Sequence, residues 1–150
     1  MPDSYAYLGI HFIFSTKERV SLISNEIKSR LFPYIGGIIK SLNCIPIEIN
    51  GMPDHIHLFC LLSREISTSD FMRVVKSKSS KWINETFKCS PKFQWQDGYG
   101  AFTVSKSSES RIIEYIKNQD EHHKKKTFQY EYVEFLKSYN IKYDEEYLWK

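Results

Sequence analysis

A chain of 150 residues, 41% hydrophobic and 26% charged, fits one domain spanning 1–150, large enough to bury a core without disulfide staples. No run approaches the ~18 apolar residues of a membrane span and Met1-Pro2-Asp3-Ser4 opens no signal peptide, so an intracellular, cytoplasmic protein is expected. The net charge of +3 is uneven: residues 127–150 hold five acids against three lysines, while Arg73, Lys76, Lys78, Lys81 and Lys124-Lys125-Lys126 gather positive charge that suits phosphates or, more blandly, a solvated helix face.

Residues 5–14 alternate, with Ala6, Leu8, Ile10, Phe12 and Phe14 on one side and Tyr5, Tyr7, Gly9 and His11 on the other, which predicts a strand with one buried face. Residues 25–42 carry Ile27, Leu31, Ile35, Ile38, Ile39 and Leu42 at helical spacing behind the caps Ser24 or Asn25; Pro33 predicts a late start or a kink. Strands follow at 45–50 and 55–62 around the turn Gly51-Met52-Pro53-Asp54. A helix is predicted over 69–87, with Phe71, Val74, Val75 and Trp82 inward. Then come a loop over 88–99, a strand over 100–105, and helices over 108–124 and 128–139, the last capped by Thr127.

This order predicts an α+β, ferredoxin-like split βαβ fold, an antiparallel sheet with helices on one face, followed by a helix that carries candidate chemistry and a further helix. If the first and third strands are central neighbours, His11 shares the open face with His55 and His57. Tyr5, Tyr7 and Phe59 on that face would be free to stack on bases unless a helix or partner covers them. Cys44, Cys60 and Cys89 form no C-x-x-C pair, which suits a reducing compartment and disfavours thiolate-bound zinc.

His55-Ile56-His57 is the sharpest local feature. Imidazoles at i and i+2 of a strand point the same way and can chelate one cation, although an exposed pair on a sheet surface is the bland alternative. On the predicted helix 108–124, Tyr115 and Gln119 lie one turn apart, with about 6 Å of rise between them, and the stripe continues into His122 and His123. Taken alone, Tyr115 reads as a core residue beside Ile112 and Ile116. By donor chemistry alone, either later histidine is a better third ligand than an amide.

Gly51-Met52-Pro53-Asp54-His55-Ile56-His57-Leu58, the strand Leu8 to Lys17, Trp95-Gln96-Asp97-Gly98-Tyr99 and Tyr115-Ile116-Lys117-Asn118-Gln119 occur in an order that resembles the HUH single-tyrosine transposases. That family includes the transposases of bacterial insertion sequences and the REP-associated tyrosine transposases. The resemblance implies His55, His57 and Gln119 as ligands of a divalent metal, magnesium or manganese, and Tyr115 as the nucleophile. It implies cleavage and rejoining of single-stranded DNA through a 5′-phosphotyrosine link. It also implies hairpin DNA ends as substrate and a homodimer, in which the tyrosine helix of one subunit often serves the histidines of the other, with Lys106-Ser107-Ser108 as the hinge. His11, Lys17, Arg19, Arg73, Lys76, Lys78 and Lys81 are candidate DNA contacts. The competing readings are a non-catalytic single-stranded nucleic-acid-binding module, a domesticated nickase acting on repeat hairpins, and a small metallohydrolase that uses water.

Overall fold

The computed structural model describes residues 4–149. Four strands, β1 (Gly9–Ser15), β2 (Ile45–Met52), β3 (His55–Leu61) and β4 (Gly100–Thr103), form one antiparallel sheet in the order β2-β3-β1-β4. Helices α1 (Asn25–Ser41) and α2 (Thr68–Phe87) complete the split βαβ unit, and α3 (Glu109–Lys117), α4 (Gln119–His123), α5 (Phe128–Ser138) and α6 (Glu145–Leu148) follow. Among the described residues no helix is long and apolar enough to cross a membrane.

Alternation along β1 and β3 divides the core in two. Phe12 and Phe14 of β1, with Ile56, Leu58 and Cys60 of β3, pack on Ile27, Leu31, Ile35 and Ile39 of α1 and on Phe71 and Val75 of α2. The Phe12 and Phe71 rings stack with centroids 5.0 Å apart. Each such ring withdrawn from water stabilises the fold by about 1.5–3 kcal/mol. The opposite face is also buried. Ile13 and Phe102 meet Phe128, Tyr132 and Leu136, while Phe59 and Val104 meet Ile116 of α3. Phe59 is therefore core, not a platform for bases, whereas Tyr5 and Tyr7, before β1, stay accessible at 95% and 38% exposed.

Several boundaries differ from the sequence expectation. The first strand starts at Gly9 because its neighbours run out there: β3 ends at Leu61 opposite Gly9, and β4 at Thr103 opposite Ile10. Helix α1 runs through Pro33 without a break, since Pro33 and Ser29, whose carbonyl loses its donor, both lie on the exposed face where water replaces the missing bond. The helix predicted over 108–124 is two helices. The carbonyls of Ile116 and Lys117, which an unbroken helix would spend on residues 120 and 121, accept instead from Asn50 Nδ2 at 2.9 and 3.1 Å, and Asn118 leaves helical geometry at φ −96, ψ 30. Helix α5 begins as expected, with Thr127 Oγ1 accepting from the Tyr130 N–H at 3.2 Å.

Candidate active site

The imidazoles enter the site from a tight hairpin. Met52 pairs with His55, so only Pro53 and Asp54 form the turn between β2 and β3. Gly51 is required by close approach, because a Cβ there would run into the His55 carbonyl. His55 and His57 then point to the face shared by His11, and all three are buried.

Over this face α4 and α5 lay further polar groups. His55 Nδ1 meets Asp54 Oδ1 at 2.7 Å, which puts the ring proton on Nδ1 and turns the Nε2 lone pair inward. That nitrogen faces Gln119 Oε1 at 3.3 Å and Glu131 Oε1 at 3.7 Å. Glu131 Oε1 also lies 2.9 Å from His57 Nε2 and 3.3 Å from His123 Nε2. Gln119 Oε1 is 3.2 Å from His123 Nε2. Ligand atoms of His55, His57, His123 and Glu131 all fall within 4.8 Å of one another. Lone pairs converging this closely repel unless a proton or a cation lies between them. Three imidazole nitrogens, a carboxylate and an amide oxygen suit a divalent metal ion, manganese more readily than magnesium, because imidazole is a softer donor than the oxygens magnesium takes. The residues fit a metal ion.

The electrostatics agree. Burial alone would raise the Glu131 carboxyl, but hydrogen bonds from His123 and His57 outweigh it and hold the group well below the carboxylate range. Burial lowers His57, only partly offset by Glu131, so its ring stays neutral and able to coordinate. For His123 burial is outweighed by the Glu131 hydrogen bond and charge, which raise it. His11 Nε2 touches His57 Nδ1 at 2.8 Å; burial and the neighbouring His57 hold His11 well below its ordinary value, and its Nδ1 is buried without a partner among the described residues.

Tyr115, half-buried on α3, donates its hydroxyl to Glu131 Oε2. Its ring lies 5.8 Å from that of His57 and stacks on His122 at 4.4 Å. Burial, then the Glu131 charge and hydrogen bond, push the phenol well above its usual value of 10.0, so without a cation it keeps its proton.

The sequence candidates thus divide. His55, His57, Gln119 and Tyr115 come together within a single chain, and His123 joins them while His122 does not. Glu131 was missed. Its signal lay in the pattern of α5, where Phe128, Glu131, Tyr132, Phe135 and Leu136 occupy the i, i+3, i+4, i+7, i+8 stripe and set an acid on the buried face. His11 lies beneath the site against His57, not on an open surface. Lys17, Arg73, Lys76 and Lys81 line a groove of about 850 Å³ between α2 and the loop before β4, across the sheet from the imidazoles. Within it the donors of Lys76 are spent on the carbonyls of Gln96, Asp97 and Gly98 at 2.9, 3.3 and 2.6 Å, and burial lowers its ammonium to about 8. Lys78 is solvent-exposed, and the Arg19 guanidinium sits 5.1 Å over the Trp149 ring.

A split βαβ sheet that carries an H-x-H pair on one face, with consecutive helices bringing a tyrosine and a glutamine over it, defines the class of single-tyrosine HUH proteins. The chain belongs to the IS200-like transposase family, whose pattern matches residues 4–119. It is 32% identical over 123 residues to the transposase for insertion sequence element IS200 of Salmonella typhimurium, covering 76% of this chain and 78% of that one. It is 26% identical over 124 residues to the ISDra2 transposase TnpA of Deinococcus radiodurans, covering 77% and 86%. In fold it resembles a crystal structure of a Deinococcus radiodurans protein described as a transposase, with a TM-score of 0.65, 24% identity, and 79% and 95% of the two chains covered. It likewise resembles a REP-associated tyrosine transposase bound to a REP hairpin, with a TM-score of 0.60, 15% identity, and 82% and 74% covered.

Proposed function

We propose that this protein cleaves and rejoins single-stranded DNA at hairpin ends, with Tyr115 as nucleophile. The observation that carries the reading is the single carboxylate of Glu131, which touches the Tyr115 hydroxyl with one oxygen and the imidazole cluster with the other. In the reaction the Tyr115 oxygen forms a bond to phosphorus as the bond to the departing 3′ oxygen breaks. The products are a 5′-phosphotyrosine and a free 3′-hydroxyl, and attack by that or another 3′-hydroxyl reverses the step without ATP. Glu131 accepts the phenol's hydrogen bond and orients the hydroxyl; the proton lost by the phenol is balanced by the one that the departing 3′ oxygen takes up. Asp54 and His11 hold the two ligand rings in orientation. His55 and His57, with Gln119, Glu131 and His123 as further donors, would hold the metal, magnesium or manganese. When bound, that ion supplies Lewis-acid stabilisation of charge developing on the phosphate oxygens.

Because Tyr115 meets the imidazoles of its own chain, the geometry favours a site assembled within each subunit. A homodimer with two such sites is part of the same reading. Lys17, Arg19, Arg73, Lys78 and Lys81 are the proposed phosphate contacts. Incubation with a single-stranded hairpin oligonucleotide and Mn²⁺ tests the reading: a covalent protein–DNA band on a denaturing gel, lost on chelation, is expected. Multiple turnover without any such band supports a water-using hydrolase instead, and binding indifferent to chelator with no cleavage supports a non-catalytic module.

A further inference from the structure

We propose that the cleft beside Tyr115 seats an unpaired base of the nucleotide that flanks the scissile phosphate. This rests on the strand-cleavage reading above and places the neighbouring part of its substrate. The cleft, about 820 Å³, lies between α4 and α5, and its walls include Tyr115, His122, Lys126, Tyr130, Phe135 and Lys137. Its volume falls in the range of pockets that enclose a small organic ligand, about 300–1,000 Å³.

Three observations point to a nucleotide. First, the nucleophile is part of the wall. The Tyr115 hydroxyl is directed inward to Glu131, while the half-buried ring borders the cleft, so a phosphodiester engaged by that hydroxyl has its next nucleotide beside the cleft. Second, the walls are π surfaces. The Tyr115 and His122 rings stack at 4.4 Å and 27°, Phe135 presents its ring to Tyr115 at 5.6 Å and 76°, and Tyr130 is 57% exposed. Tyr115 and His122 turn facing sides to each other, so the exposed Tyr130 ring is the stacking surface, and such a ring accepts any base because every base has a π face. Third, the polar groups suit a phosphate-bearing ligand. Lys126 Nζ pairs with Glu134, the one acid of the lining, at 3.0 Å and lies 5.5 Å over the Tyr130 ring, and the exposed Lys137 leaves the lining net positive. His122 Nε2 is buried without a partner among the described residues. Apart from Tyr115, every one of these residues lies beyond the segment 4–119 shared with the family, so the cleft belongs to the C-terminal helices of this chain.

The test is a fluorescence scan. Hairpin oligonucleotides carry 2-aminopurine at one unpaired flanking position at a time, and are bound to full-length Tyr115→Phe protein so that no strand is cut. At one position, adjacent to the bond that wild-type protein cleaves, the fluorescence is expected to fall at least threefold. Tyr130→Ala in that background should abolish the quench, and Tyr130→Phe should keep it; Tyr130 is exposed, so neither change threatens the fold. If wild-type protein forms the covalent band but no flanking position is quenched, or if the quench survives Tyr130→Ala, the seat for the base is wrong while the cleavage reading stands. If wild-type protein forms no covalent band, both fall.

Discussion

The Tyr115 hydroxyl donates to one carboxylate oxygen of Glu131 while the other lies 2.9 Å from His57 Nε2. The proposed nucleophile and the candidate ligand cluster are thereby joined through one residue of α5. Glu131→Gln keeps the shape and removes the charge. We expect it to weaken Mn²⁺ binding by roughly 10–100-fold, as the loss of a charged partner at a metal site does, and to slow adduct formation even at saturating metal. Calorimetric titration and a time course of the covalent band measure the two effects; a variant with wild-type values for both refutes the bridging role.

Beneath the candidate ligands, His11 props His57 through a 2.8 Å contact between ring nitrogens. With metal on His57 Nε2, the ring proton must sit on Nδ1 and point at His11 Nε2. His11→Ala removes that acceptor and should lower Mn²⁺ affinity roughly 10-fold or more, while DNA affinity in chelator stays within twofold. Loss of DNA binding with unchanged metal affinity would restore His11 as a DNA contact.

Two lysines on α2 should behave in opposite ways. Lys78 is exposed, so Lys78→Ala should leave the melting temperature unchanged and, if it contacts phosphate, reduce the slope of log affinity against log salt by about 1. Lys76 secures three carbonyls of the loop before β4. Lys76→Met leaves them short of a donor and should cost about 1–3 kcal/mol of stability, read by urea denaturation. A neutral Lys76→Met would mean that water satisfies the loop.

Mixing inactive subunits separates the two modes of assembly. With Tyr115 placed against its own chain's imidazoles, Tyr115→Phe and His55→Ala proteins mixed in equal amounts should form no adduct. Recovery of activity on mixing would show that α3 is exchanged between subunits.

The sheet and its two crossover helices were legible in the sequence because their pattern is local: period two in β1 to β3, period 3.6 in α1 and α2. The His55–His57 pair was legible for the same reason. What escaped depends on distant partners. Asn50 breaks the helix at Asn118 by taking two carbonyls 66 and 67 residues away. Lys76 looked like any surface lysine until the loop at 96–98 closed over it. Glu131 could be seen to interrupt an apolar stripe, but only the packing of α5 across the sheet shows that it faces imidazoles. The second face was expected to be open or covered; alternation could not decide which, because Phe59 alternates correctly in either case.

Covalent attachment of DNA to Tyr115 is read out by mass spectrometry of the adduct. After reaction with a single-stranded hairpin and Mn²⁺, nuclease trimming and tryptic digestion, the nucleotide should be found on the peptide Ile112–Lys117, in which Tyr115 is the only hydroxyl-bearing side chain. A nucleotide carried by any other peptide, or cleaved DNA with every peptide unmodified, would rule out Tyr115 as the nucleophile.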